Sequence, residues 1–141
     1  MGIIDRRRLA SLEARIGRRL PNDLLALLNE REPIREGPVA LVTPARIWDV
    51  RSSFALDEGG GADQLDRVYE LVGDVLPPNA VPFAADWGDN FYCLMLAGPS
   101  EGRIVYWDHE RDEGDFHVEP VADTIEAFFA GLVLDPRDAD A

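Results

Sequence analysis

The sequence holds no lysine and a single cysteine, Cys93, in 141 residues. One cysteine excludes an intrachain disulfide and fits a reducing compartment. The two histidines, His109 and His117, do not form a recognised zinc spacing. No apolar run approaches the roughly 20 residues needed to span a bilayer. The N-terminus, MGIIDRRRLA, puts an acid and three arginines where a secretory signal would have its apolar stretch. These absences together predict a cytoplasmic protein with no membrane segment.

Acid is what the chain has in excess. All fourteen bases are arginine, against 27 Asp and Glu, for a formal net charge of −13. Residues 1–35 carry a net +3 and residues 36–141 a net −16. Such a body repels nucleic acid and anionic membranes, because phosphate binding needs a basic surface. It would attract a basic partner and steer its approach, although acidity can also serve solubility alone. The hydrophobic share of 46% and charged share of 29% are those of a globular protein. The length suits one domain, residues 1–141, with a real core.

Apolar periodicity outlines the elements. Leu9, Leu12 and Ile16 repeat at helical spacing, with Gly17 as a helix stop. A second helix starts near Pro21, its stripe being Leu24, Leu25, Leu27 and Leu28. VALV at 39–42 is a short apolar run. Thr43-Pro44 reads as a cap and first helical residue, predicting a helix through Ile47 and Trp48 towards Phe54. DEGGG at 57–61 is a flexible link, followed by a helix over about 62–75 that Pro77-Pro78 ends. Strands follow at 80–84, 91–96, 103–107 and 116–121, joined by glycine-bearing turns and expected to pair as a meander. A closing helix spans about 124–132, with Asp123 and Glu126 in capping-box relation. The tail from 133 to 141 is expected to fray. The predicted class is α+β: an antiparallel or mixed β-sheet meander, with helices at the N-terminus and one closing helix at the C-terminus.

Four segments in this order resemble the SUKH superfamily, the Smi/Knr-type domains. They are LEARIGRRLPNDLLALL (12–28), VPFAADWGDNFYCLML (81–96), GRIVYWDHE (102–110) and VADTIEAFFAGL (121–132). The resemblance covers roughly residues 10–132. Trp87 departs from it, standing where members commonly have glycine, and so does Asn29-Glu-Arg-Glu after the second helix. Bacterial members often neutralise toxins exchanged between competing cells, so the resemblance implies binding rather than turnover. It implies an immunity protein whose partner is a cognate toxin domain with a basic surface. The alternative is a regulatory interaction module of the same fold with no toxin.

Several side chains invite a chemical reading. Asp108, His109 and Glu110 are consecutive, but strand side chains alternate faces and cannot all address one metal. Asp86 and Asp89 could be a carboxylate pair for acid–base work, yet an Asp-Trp-Gly-Asp-Asn cluster is better explained as turn chemistry. Cys93 lies in an apolar strand without a base partner and reads as a small buried hydrophobe. The arginines at 6–8 read as the solvated face of the first helix. A small hydrolase using Asp86, Asp89, Asp108 or His109 therefore ranks last, and no catalytic, metal or cofactor site is expected. The window 86–119 holds nine acids against Arg103 and Arg111, a net of −7. Its exposed turns predict a partner-binding surface of Asp86, Trp87, Asp89, Glu110, Asp112, Glu113 and Asp115. Without the partner, a monomer is the default expectation.

Overall fold

A computed structural model describes residues 4–30, 39–56, 64–109 and 118–137. Helix α1, Arg6–Ile16, begins at Asp5, whose Oδ1 accepts hydrogen bonds from the Arg7 and Arg8 amides at 3.1 and 3.2 Å. That arrangement satisfies two of the donors a helix start leaves unpaired. The helix ends at Gly17, at φ 83°, where its N–H reaches the Glu13 carbonyl. A left-handed cap of this kind is what glycine permits most cheaply. Helix α2, Asn22–Glu30, follows directly and buries Leu24 and Leu28.

Strand β1, Val39–Val42, is the middle of a three-stranded antiparallel sheet with β2, Ile47–Val50, and β8, Leu132–Leu134. Two expectations fail here. The helix foreseen from Thr43-Pro44 is instead a tight connection into β2. The Thr43 N–H and hydroxyl both reach the Arg46 carbonyl at 3.1 Å, and Arg46 N–H returns to Thr43 Oγ1 at 3.3 Å. Trp48 and Val50 are buried while Ile47 and Asp49 are half-buried, which is strand alternation. The second failure is the frayed tail, because Val133 and Leu134 pair with β1, together with Leu132 from the end of the foreseen closing helix, and Asp135 is buried. Of the tail, 138–141 lie outside the described residues.

The second sheet is the expected meander with one addition. Its order is β3-β4-β5-β6-β7, all antiparallel: Ser52–Ser53, Ala80–Ala85, Phe91–Met95, Ile104–Trp107 and Val118–Ala122. Pro82 sits beyond the reach of β3, which pairs only with Ala84 and Ala85, so its missing N–H costs no ladder bond on that side. A bulge at Phe83 lets two consecutive residues, Phe83 and Ala84, join the same core as Val81 and Tyr92. Pro120 lies in β7, at the sheet edge. Between β3 and β4 runs α3, Leu65–Val72, fastened to α1 by Arg8. The Arg8 guanidinium takes both Asp66 carboxylate oxygens at 2.8 and 2.6 Å and the Gln64 side-chain oxygen at 3.0 Å. Arg8 is therefore half-buried and paired, unlike the exposed Arg6 and Arg7.

Helix α4, Ile125–Ala130, is capped by Thr124, whose Oγ1 accepts the Ala127 amide at 3.0 Å. The expected Asp123 cap was one residue early, and Asp123 is exposed opposite Arg103. Phe128 drives α4 onto the meander, 5.3 Å from the Phe83 ring and 5.1 Å from Tyr92. The core lies between the two sheets and α1, α2, α3 and α4, with Leu65 of α3 fully buried in it. A smaller cluster of Leu76, Ala80, Cys93 and Val105 covers the other face of the meander. The class is α+β, as expected.

Candidate functional site

The hairpin turn joining β4 to β5 is held by one inward-facing acid. Asp86 is 5% exposed, and its carboxylate accepts four hydrogen bonds. Oδ1 takes the Gly88 and Asn90 amides at 2.8 and 2.9 Å. Oδ2 takes the Asn90 side chain at 3.3 Å and the Tyr106 hydroxyl at 2.5 Å. Burial, and then the hydrogen bond to Asp86, push the Tyr106 phenol well above its ordinary value. The expected exposed Asp86 is thus a buried one, because Tyr106 arrives from β6 to cover its carboxylate.

Asp89 faces the other way. Its backbone is left-handed at φ 64°, which Asp and Asn tolerate better than most residues. Its exposed carboxylate meets the Arg51 guanidinium at 2.9 Å. The two aspartates are committed to different partners, so no carboxylate pair forms. Among the described residues, no three His, Cys, Asp or Glu side chains converge as metal ligands would. His109 is exposed, with its N–H and Nδ1 on Asn90 Oδ1 at 3.0 and 2.6 Å, which docks the end of β6 beside the turn. Cys93 is fully buried, and burial pushes its thiol far up. Both results agree with the turn and buried-hydrophobe readings.

Trp87 projects from this turn and is 63% exposed. Its backbone N–H donates to Asp49 Oδ2 at 3.1 Å. Asp49 is the residue that sequence reasoning missed. Besides Trp87, it receives the Tyr92 hydroxyl at its carbonyl, 2.6 Å, and Arg137 at its other carboxylate oxygen, 3.5 Å. Arg137 is itself clamped on the buried Asp135 at 2.6 and 2.9 Å, which holds that carboxyl below its usual range. Beside this network, Arg46 stacks on Trp48 at 4.1 Å and on Tyr106 at 5.2 Å, from ring centroid to guanidinium. The one signal for Asp49 in the sequence was a polar residue within the alternating run IWDV. Glu110, Asp112, Glu113 and Asp115 lie outside the described residues, so only Asp86, Trp87 and Asp89 of the expected surface have positions here.

This arrangement of helices, meander and closing helix can be set beside known proteins. The model of the SMI1 / KNR4 family (SUKH-1) matches residues 4–131. The chain belongs to the SMI1/KNR4 family. Within the SUKH-1 match lie both sheets' inner strands, the Trp87 turn and α4; among the described residues, only the last strand and the Asp135–Arg137 clamp fall beyond it. One similar protein is the SPbeta prophage-derived uncharacterized protein YokK of Bacillus subtilis (strain 168), 31% identical over 78 residues. That match covers 55% of this chain and 39% of the relative, so the chain spans well under half of the relative's length.

Proposed function

We infer that this SUKH-1 protein is an immunity protein, which binds a toxin domain through an acidic surface and blocks the toxin's active site without turning over a substrate. Family membership carries the reading, since the SUKH fold is used by bacteria to neutralise toxins. The charge supports it: −16 over residues 36–141 opposes the basic groove that a nuclease or nucleotide-directed toxin needs. Asp86, Trp87 and Asp89, with Glu110, Asp112, Glu113 and Asp115, form the proposed contact surface. In this arrangement Asp86 acts from beneath by fixing the turn, while the others touch the partner. On this reading the protein works in the bacterial cytoplasm. Among the described residues, no helix is long and apolar enough to cross a membrane.

The test is growth rescue. The toxin-like product of a neighbouring gene is expressed in a sensitive strain, with and without this protein. Protection, and a complex whose affinity falls with salt, are expected. Charge reversal at Asp112, Glu113 and Asp115 weakens that complex. Absence of protection would sink the immunity reading and leave a regulatory interaction module of the same fold.

A further inference from the structure

Trp87 is the most exposed aromatic among the described residues, and tryptophan is among the side chains most often found as the anchor of a protein interface. The backbone beneath it is immobilised from both sides. The Asp49 carboxylate holds the Trp87 N–H, the Asp86 carboxylate holds the next amide and that of Asn90, and Asn90 holds His109. An indole presented on so fixed a turn loses little backbone entropy when it is covered, which is what a binding anchor requires.

The surroundings specify what would cover it. Asp49, Asp86, Asp89 and Asp108 lie in or beside the turn, against Arg51, Arg137 and, over the Tyr106 ring, Arg46. All three arginines are already engaged, Arg51 by Asp89, Arg137 by Asp135 and Asp49, and Arg46 by the Trp48 and Tyr106 rings and Glu119. The indole face carries negative quadrupolar charge, and neighbouring carboxylates add to it, so the surface favours a cation over an apolar or anionic group. The chain already uses this chemistry internally, where Arg46 stacks on Trp48 beside the Glu119 carboxylate at 3.8 Å.

We propose that the β4–β5 turn is the primary contact for a protein partner presenting an arginine, whose guanidinium stacks on the Trp87 indole and pairs with Asp89. This deepens the immunity reading and rests on it for the nature of the partner. Arginine is favoured over lysine because its planar group can stack and form a fork of hydrogen bonds at once. Asp89 then exchanges Arg51 for the partner's guanidinium, or shares its two oxygens between them.

The probe is a blocked hexa-arginine peptide, with hexa-lysine as control, titrated into 15N-labelled protein. The three tryptophan indole signals are followed. The Trp87 indole shifts saturably while those of Trp48 and Trp107 stay put, and hexa-lysine binds more weakly. Trp87→Ala lowers the arginine peptide's affinity about two- to fivefold, and Trp87→Phe recovers part of it. Trp87 is exposed, so neither change endangers folding, and an unchanged amide spectrum elsewhere verifies this. Peptide binding that leaves the Trp87 indole unmoved, or that Trp87→Ala does not weaken, overturns the proposal. So does a Trp87 signal that shifts with protein concentration alone, which would make a second copy the occupant. The growth assay and the affinity of the toxin complex separate the two readings. If Trp87→Ala binds the neutralised toxin as tightly as the native protein does, the contact is wrong and the immunity reading stands. If the titration behaves as described but no toxin is neutralised, the contact stands and the immunity reading falls.

Discussion

Replacing Asp86 with alanine tests how the presenting turn is built. The change removes one acceptor for four donors, of which the Tyr106 hydroxyl is the most deeply placed, on a residue 5% exposed. A buried donor left unpaired costs about 1–3 kcal/mol. The Gly88 and Asn90 amides sit at the surface end of the turn, where water can replace part of what they lose, at roughly 0.5–1 kcal/mol each. Asp86→Ala should therefore destabilise the protein by about 2–5 kcal/mol, a large fraction of a typical domain's stability. Tyr106→Phe removes one donor and leaves the carboxylate three others, so about 1.5 kcal/mol is expected. The double variant should lose less than the sum of the singles by about 1–2 kcal/mol, because the stranded hydroxyl is gone. Urea unfolding followed by far-ultraviolet circular dichroism measures all three. A loss below about 1 kcal/mol for Asp86→Ala, or strict additivity with Tyr106→Phe, would refute the tie between the turn and β6.

Two other perturbations probe the rest of the frame. Cys93 should resist a thiol reagent such as Ellman's in native buffer and react fully in denaturant, since burial removes access and disfavours the thiolate; rapid native labelling would contradict this. The Arg8 hydrogen bond holds the Asp66 carboxyl below its ordinary 3.8. Its contribution is thus present above pH 3.8 and fades as the pH falls through the lower, folded value. Asp66→Asn should flatten the fall in stability in that acidic window, as read by urea midpoints at several pH values; an unchanged pH slope would mean the Arg8–Asp66 pair is not the linked group.

Much of the meander could be read from the chain. FYCLM and IVYW alternate between faces so regularly that Tyr92, Leu94, Ile104 and Tyr106 enter one core and Cys93 and Val105 the other. Gly17 marked its helix end because a left-handed cap is chemically narrow. The Thr43-Pro44 pair misled, since a hydroxyl followed by proline serves a turn as well as a helix start, and only pairing with β1 selects the strand. Leu132 looked like the end of the closing helix and Val133-Leu134 like a tail, because a three-residue strand has no periodicity of its own to recognise. Asp86 was identified as turn chemistry, but its burial depends on Tyr106 arriving from another strand.

The sequence by itself determined the charge and the class of fold, because composition and local periodicity are properties of neighbouring residues, and the order of four segments carried the resemblance to the family. The tertiary structure decided what the turn at 86–90 presents. Asp49, Trp87 and Arg137 are far apart along the chain, and their meeting follows from β2 pairing with β1, β1 with β8, and Tyr92 bonding across to Asp49. Alternation says which side chains share a face, but it does not say which face is covered. Only packing of one sheet against the other turned Asp86 inward and left Trp87 outside.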